Sequence, residues 1–228
     1  MNTSYQSGLE SVPLFRDIDR GEISSLFECL TPVRKKYKKD EIIYAAGDTV
    51  SYIGIVLSGF VRVVSEDVFG NRSIISGAGP KQMFAESFAC ARAEALPVSV
   101  VSATDSDILF LDYGRVLCRC SSLCTYHAKL IENMLSILAQ KNIMLNRKLN
   151  IMSRRTIRAK LLAYLAEEVR RQGRCDITLD FDRQELADYL CVDRSALSAE
   201  LSRLRDEGIL DYNRSSFKLH CGAEDELL

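Results

Sequence analysis

The sequence predicts an α+β protein in which a β-rich N-terminal domain, a long helix and a small helical domain closed by a β-hairpin follow one another. Between Val33 and Tyr113, short runs of β-branched and aromatic residues alternate with glycines, which is typical of a sandwich or roll. From His127 the chain has no glycine or proline until Gly173, and helix formers dominate. We therefore expect three domains, over residues 1–117, 118–152 and 153–228.

The N-terminal domain should begin with a short helix over residues 18–30 and continue as strands. Runs with β-type alternation place the strands at 41–44, 52–58, 60–66, 73–77, 98–103 and 107–112. The residues expected to form the turns and corners between strands are Gly47, Gly54, Gly59, Gly70, Gly77 and Gly79. Residues 67–71 resemble the tip of a hairpin.

The long helix carries two apolar rows. One row recurs at steps of four and three, as in a coiled-coil seam, and consists of Ile131, Leu135, Leu138, Asn142, Leu145, Leu149 and Met152. A single polar residue in such a seam, here Asn142, can fix register and dimeric state. A second row should pack on the β-domain and consists of Leu130, Met134, Ile137 and Met144. Because both rows need covering, we expect a homodimer; a helix buried within one domain is the alternative.

The last domain is predicted to start with a helix over 154–171 capped by Ser153, which makes the Met152–Ser153 junction a hinge. The core stripe of this helix is Ile157, Leu161, Leu162, Leu165 and Val169. Gly173 should end the helix, and a strand over 177–181 should follow.

The stretch 182–210 reads as two short helices joined by a tight turn. Asp182 and Glu185 have the spacing of a capping box, and the first helix should end near Leu190. Asp193 is placed to cap the second helix, and Gly208 to end it. The apolar positions that should be buried are Leu186, Ala187, Leu190, Leu197, Leu201 and Leu204. The second helix then presents Arg194, Ser195, Ser198 and Ala199 outward.

Two β-prone runs, 209–212 and 217–220, follow directly and predict a small hairpin, or wing. Short turns between helices of this kind place a recognition helix in the major groove of DNA. A winged helix-turn-helix is therefore predicted, with an ordinary αα-hairpin as the alternative.

Composition limits the partners. The net charge is −1, and residues 154–228 contain 13 Lys and Arg against 15 Asp and Glu, so phosphate contacts must come from a local face. No run approaches the about 18 apolar residues that a membrane span requires, so we expect a soluble, cytoplasmic protein without a membrane partner. Eight cysteines without a secretion signal are interpreted as reduced thiols.

The segment AAGDTVSYIGIVLSGFVRV resembles the cyclic-nucleotide-binding fold, whose Gly-Asp corner and Ser-Gly turn recur as Gly47, Asp48, Ser58 and Gly59. With the long helix and RQELADYLCVDRSALSAELSRLRDEGIL, the chain resembles the Crp/Fnr family of bacterial transcription regulators over roughly residues 12–220. The resemblance implies a homodimer in which an effector in the β-roll re-angles two DNA-binding domains through the long helices. It also implies an inverted-repeat operator in double-stranded DNA, with RNA polymerase as a further candidate partner.

In the cyclic-nucleotide-binding fold, a Phe-Gly-Glu run opens a short helix that cradles the phosphate, and an Arg about ten residues later closes on it. Here Phe-Ala-Glu at 84–86 matches the opening, but Leu-Pro-Val stands at the closing positions 96–98. We therefore expect an effector other than cyclic AMP or cyclic GMP, and its identity is unknown. The candidate pocket is Phe84, Glu86, Ser87, Arg92, Leu96, Pro97 and Val98, with a filled roll core as the alternative.

Carried over by position, Arg194, Ser195 and Ser198 should face base edges. Family members often have Glu at the position of Ser195 and Arg at that of Ala199, so the operator half-site should differ from the common one. The remaining candidate DNA-binding residues are Arg183, Gln184 and Arg203.

Two alternatives remain open on the same scaffold. Thiol, metal or haem sensing would use Cys118, Cys120, Cys124 and His127, although their spacing lacks the usual Cys-x-x-Cys knuckle and cysteine commonly serves in apolar packing. A ligand-binding module without DNA binding is the other alternative. The N-terminal cysteine cluster of the oxygen-sensing branch is missing, so an iron–sulfur cluster is not expected. An enzyme is not expected either, because neither His127 nor His220 belongs to a triad-like arrangement and no P-loop is present.

Overall fold

The computed structural model describes residues 8–92, 94–117 and 125–220. Within these residues the chain divides into two units. The first comprises the chain up to Gly70 with Ile75–Asn142, and the second comprises Asn71–Ile74 with the chain from Ile143 onward. The division falls inside the long helix, so the separate helical domain over 118–152 stays a prediction. Among the described residues, no helix is long and apolar enough to cross a membrane.

The first unit opens with two 3-10 turns, Leu9–Ser11 and Pro13–Phe15, and with helix α1, Arg20–Leu30. A capping box sets the start of α1: Asp19 accepts a hydrogen bond from the Glu22 amide at 2.9 Å, and Glu22 accepts one from the Asp19 amide at 2.8 Å. The helix therefore begins two residues later than the sequence suggested.

Eight strands build the β-roll: β1 Val33–Tyr37, β2 Ile42–Tyr44, β3 Tyr52–Ser58, β4 Val61–Glu66, β5 Arg72–Ala78, β6 Met83–Phe84, β7 Ser99–Ser102 and β8 Ser106–Asp112. They form two four-stranded sheets, ordered β1-β8-β3-β6 and β2-β7-β4-β5. The six predicted strands are confirmed with shifted ends, whereas β1 and β6 were missed. Strand β1 is rich in lysine and forms through its antiparallel pairing with β8, and β6 pairs only two residues with β3.

Two glycines were wrongly placed at turns. Gly54 lies inside β3, where a Cβ atom would come within 2.1 Å of the Phe84 ring, and Gly77 lies inside β5, where it would come within 2.6 Å of the Phe60 ring. Both glycines therefore make room for an aromatic ring against the sheet. By contrast, Gly59 has a φ of 86° and forms the predicted corner.

Helix α2, Glu86–Ala91, lies between β6 and β7. Helices α3, Tyr113–Leu117, and α4, Thr125–Met152, follow the last strand of the roll. On α4, Leu130 and Met134 are buried in the core of the first unit and Ile137 packs against it, as predicted. Met144 does not follow this row, because it lies beyond the end of the first unit and its side chain is 62% exposed.

The second unit contains α5 Ile157–Gln172, β9 Asp176–Thr178, α6 Arg183–Leu190, α7 Arg194–Asp206, β10 Leu210–Asn213 and β11 Ser216–Leu219. The three strands form an antiparallel sheet in the order β10-β11-β9, so the predicted wing is confirmed and joined by β9. The strand predicted over 177–181 is shorter, since Phe181 leaves the sheet and packs on Tyr189 with ring centroids 4.9 Å apart.

The predicted cap of α5 was wrong. Thr156 caps this helix by accepting a hydrogen bond from the Ala159 amide at 3.1 Å. Ser153 instead donates its hydroxyl proton to the Asn150 carbonyl at 2.8 Å, at the end of α4. The helix consequently starts three residues later than expected, and Gly173 ends it as predicted with a φ of 67°.

The core of the second unit follows the predicted stripes. All six apolar positions assigned to α6 and α7 are at most 1% exposed, and Leu161 and Leu165 of α5 are fully buried. Ile157, Leu162 and Val169 are partly buried at the edge of this core. Tyr164, which the stripe omitted, is also buried.

Candidate nucleic-acid interface

Helices α6 and α7 are held in a helix-turn-helix by local hydrogen bonds. Asp182 and Glu185 form the predicted capping box, with amide-to-carboxylate distances of 2.8 and 3.0 Å. Cys191, with a φ of 51°, ends α6, and the Val192 amide donates to the Ala187 carbonyl at 3.0 Å. Ala187 is fully buried, so the helix pair packs over a side chain no larger than a methyl group. The tight turn predicted between the two helices is confirmed and lies at Cys191 and Val192.

The start of α7 is fixed by Asp193. Its carboxylate accepts hydrogen bonds from the Ala196 amide at 2.9 Å and from the Ser195 hydroxyl at 2.5 Å. These two hydrogen bonds, that of Ser195 first, hold the pKa of Asp193 below its usual value. Asp193 therefore remains a charged cap at neutral pH, and the Ser195 oxygen keeps its lone pairs as an acceptor.

The outward face of α7 lies where it was expected. Arg194, Ser195 and Ala199 are exposed, and Ser198 is half-buried. No carboxylate among the described residues forms an ion pair with Arg194, so its guanidinium is available to an external acceptor. The Arg194 guanidinium can donate to a guanine edge or to a phosphate, whereas the Ser195 hydroxyl, whose proton is donated to Asp193, can only accept a hydrogen bond; Ser198 adds a second short hydroxyl side chain.

Arg183 is engaged with the wing. Its guanidinium lies over the Tyr212 ring at 5.0 Å and the Phe217 ring at 5.5 Å, and it donates to the Arg214 carbonyl at 3.3 Å. Burial lowers the pKa of Arg183, and the like charge of Arg194 lowers it further. The two cations are thus close enough to form a local positive face in a unit that is not basic overall.

The other two candidate DNA-binding residues, Gln184 and Arg203, each bind a carboxylate of the same unit. Gln184 is exposed and donates to Asp188 at 2.8 Å, one helical turn away. Arg203 forms an ion pair with the buried Glu200 at 3.3 Å. Arg203 therefore also belongs to an internal network of charges.

That network attaches α7 to α5. Arg158 on α5 binds Glu207 through two hydrogen bonds of 2.6 and 3.0 Å and lies 3.6 Å from Glu200. The hydrogen bond from Arg158 lowers the pKa of Glu207. Sequence reasoning missed Arg158, since its partners lie more than forty positions away and share no local pattern with it.

The residues predicted to form an effector pocket are divided by the structure. Phe84, Glu86, Leu96 and Val98 are buried, whereas Ser87, Arg92 and Pro97 are exposed. Arg92 caps the end of α2 with a φ of 51° and forms no ion pair with Glu86 among the described residues. Burial alone does not test whether these residues bind an effector, so the effector pocket stays a prediction.

Lys141 of α4 lies next to Glu86 and forms an ion pair with it. Its ammonium group donates to Glu86 Oε1 at 2.8 Å and to the Met83 carbonyl at 2.6 Å. Glu86 is only 2% exposed, and within the described chain its Oε2 atom has no hydrogen-bond partner. The interior of the roll also holds the buried Arg62, whose guanidinium stacks on Phe60 at 4.2 Å. Sequence reasoning missed both cations.

The seam on α4 is largely open in the single chain. Its six residues from Ile131 to Leu149 lie within an arc of about 80°, at 3.6 residues per turn. Leu135 is 61% exposed, Leu145 47% and Leu149 65%. Leu138 differs, because it also packs against the core of the first unit. The face thus exposes large apolar side chains around Asn142.

The structure describes only one of the four candidate metal ligands. Cys118, Cys120 and Cys124 lie outside the described residues, and His127 is buried in the first turn of α4. Among the residues that the structure does describe, no group of three or more His, Cys, Asp and Glu side chains could hold a metal ion. Sensing through these cysteines therefore stays a prediction.

Comparison with known proteins agrees with this architecture. Residues 34–120 match the family of cyclic nucleotide-binding domains, and residues 159–220 match the Crp-like helix-turn-helix domain. No curated protein sequence matches the chain.

Several solved structures share the fold. FixK2 from Bradyrhizobium japonicum is 20% identical, with 83% of this chain and 92% of that chain covered and a TM-score of 0.65. The c-di-GMP responsive global regulator CLP from Xanthomonas campestris is 17% identical, with coverage of 89% and 99% and a TM-score of 0.73. The catabolite activator protein of Thermus thermophilus is 22% identical, with coverage of 94% and 96% and a TM-score of 0.52.

Both domain matches occur in the order that the fold requires, with the long helix between them. This chain belongs to the Crp/Fnr family of DNA-binding transcription regulators, which are not enzymes.

Proposed function

We propose that the protein acts in the cytoplasm as a homodimer that binds an inverted-repeat operator through α7 and is controlled by a small molecule in the β-roll. The observation that carries the proposal is the exposed start of α7, where Arg194 has no ion-pair partner among the described residues and Ser195 and Ser198 accompany it. RNA polymerase is the expected further partner if the regulator activates transcription.

The reading of bases rests mainly on Arg194. A guanidinium can bind guanine O6 and N7 with two hydrogen bonds, whereas serine hydroxyls discriminate bases weakly. Arg183 and Gln184 on α6 are proposed to contact the DNA backbone, since phosphate contacts fix the protein on the duplex. Arg203 is proposed to add long-range charge, because Glu200 already binds it.

The proposed dimer uses the seam on α4. Exposed leucines on one helical face are covered when two such helices pack along their length, and Asn142 would then fix their register. A dimer presents two copies of α7, which must reach successive major grooves on one side of the duplex.

Cyclic AMP and cyclic GMP are not the proposed effectors. Leu-Pro-Val stands at 96–98 in place of the arginine that the resemblance implies, and Arg92 is exposed at the end of α2. The buried carboxylate of Glu86 and the partly exposed ammonium group of Lys141 that binds it make this part of the roll the proposed control point, because a ligand there would change how α4 is held.

Selection of binding sites from a random DNA library tests the proposal. We expect an inverted repeat whose half-sites lie about one helical turn, about 34 Å, apart. Calorimetry with cyclic AMP should show no binding; c-di-GMP belongs in the same series, since CLP is described as responsive to it. A library that yields no enriched sequence would favour a ligand-binding module without DNA binding.

A further inference from the structure

A pocket of about 250 Å³ opens on the β-roll, and its lining residues are not among those predicted to hold the effector. Alternate residues of β1, namely Val33, Lys35 and Tyr37, form one wall. Ile43, Tyr44 and Tyr52 also line it, and the buried Phe110 of β8 contributes its ring. This volume is slightly below the 300 to 1,000 Å³ of typical ligand pockets, about enough for a ligand with one ring.

Four of the seven lining residues are aromatic, and three of these rings pack against one another. The rings of Tyr37 and Tyr44 meet Phe110 edge to face, with centroids 6.3 and 6.1 Å apart. The Tyr44 hydroxyl also donates to the Tyr52 carbonyl at 3.3 Å. Burial raises the pKa of Tyr37 and of Tyr44, so both phenols stay neutral. A flat ring can therefore stack or pack edge-on without meeting an anion on these two side chains.

Lys35 provides the charge at this pocket, with its ammonium group 6.0 Å from the centre of the Phe110 ring. Two other cations of the same segment have acidic partners: Arg34 binds Asp107 through two hydrogen bonds, and Lys38 binds Asp105 at 2.9 Å. No carboxylate in the described part of the chain forms an ion pair with Lys35.

Two further carboxylates lie close enough to influence the tyrosines, Glu41 beside Tyr37 and Asp48 beside Tyr44. Both are already bound within their turns. Glu41 accepts the Lys38 amide at 2.7 Å, and Asp48 accepts the Ala45 amide at 2.8 Å. Lys35 is thus left as a cation beside a ring-lined cavity, which suits an anionic group on a planar ligand.

We propose that this pocket binds a monocyclic aromatic carboxylate, with the ring against Phe110 and the carboxylate at Lys35. The site goes beyond the control point proposed at Glu86 and Lys141, and none of its lining residues belongs to the candidate effector set. Ligand binding at this pocket can be measured without DNA. A negative result would therefore refute the pocket and would not bear on the proposed DNA binding.

Benzoate is the probe, measured by saturation-transfer NMR and calorimetry on the full-length protein. With about nine non-hydrogen atoms and one charge contact, we expect a Kd of about 1 mM or tighter. Benzamide, which keeps the ring and loses the charge, should bind at least about threefold more weakly. Absence of benzoate binding at about ten times that concentration would overturn the proposal.

Two variants and one matched control locate the ligand. Lys35→Gln should weaken benzoate binding about threefold to tenfold, whereas Lys36→Gln, the same charge loss one residue along β1, should change it less than twofold. Val33→Phe should block the cavity and abolish binding, with thermal unfolding as a check on the fold. Equal effects of the two lysine variants, or unchanged binding in Val33→Phe, would place benzoate elsewhere and refute the site.

Discussion

Replacing Leu149 by Asp should dissociate the dimer. Leu149 is 65% exposed in the single chain, and the substitution should leave the fold of each unit intact because the side chain is not part of either core. Leu138→Asp would be a poorer test, since Leu138 also packs against the first-unit core and its loss would destabilise the monomer.

The exposed fraction sets the size of the effect. Burying a whole leucine side chain stabilises by about 1.5 to 3 kcal/mol, so the exposed part of Leu149 contributes about 1 to 2 kcal/mol per protomer. Because both protomers of a symmetric dimer lose this contribution, the dimer is destabilised by about 2 to 4 kcal/mol. The dissociation constant should therefore rise between about 30-fold and about 1,000-fold. Two carboxylates brought into the seam add to the loss.

Sedimentation velocity at micromolar concentration measures the result. The wild type should sediment as a dimer and Leu149→Asp as a monomer. Gln140→Asp is the matched control, because Gln140 is exposed on the same helix about half a turn around from Leu149. A monomeric wild type, or two variants that dissociate equally, would refute the seam.

Three further predictions concern stability. Thr156→Ala should lower the free energy of unfolding by about 1 kcal/mol, whereas Ser153→Ala should have a much smaller effect, as measured in urea. Lys141→Met should cost about 2 kcal/mol or more by leaving the Glu86 carboxylate buried without its cation, and adding Glu86→Gln should recover part of this loss. Burial lowers the pKa of Lys148 to about 8. The unfolded chain therefore binds the Lys148 proton more tightly than the folded chain does. The free energy of unfolding should rise with pH between about 8 and about 10.5, and this pH dependence should disappear in Lys148→Met.

Local signals in the sequence predicted the second unit well. The Asp182 to Glu185 spacing, the Asp193 cap and the leucine stripes concern residues within one or two helical turns, so the pattern alone carries them. The same reasoning chose the wrong cap for α5, because Ser153 and Thr156 are both good capping residues and the end of α4 uses the first of them.

Contacts that join distant parts of the chain could not be predicted. Lys141 and Glu86 are 55 positions apart, and Arg158 is 49 positions from Glu207. Gly54 had the appearance of a turn residue, yet its role is to admit the Phe84 ring against β3. The cation beside Glu86 was missed for the same reason, since the candidate effector set was taken from one continuous stretch while Lys141 comes from the long helix.

The most direct test of the central claim is the affinity of wild type and Arg194→Ala for the selected operator and its single-base variants. If Arg194 reads a base, the substitution should cost about 1 to 3 kcal/mol per contact and relax the preference at one position of each half-site. Arg20→Ala, which removes one exposed arginine from α1, controls for the change in net charge and should leave the preference intact. Unchanged affinity and base preference in Arg194→Ala would contradict the assignment of α7 as the reading helix.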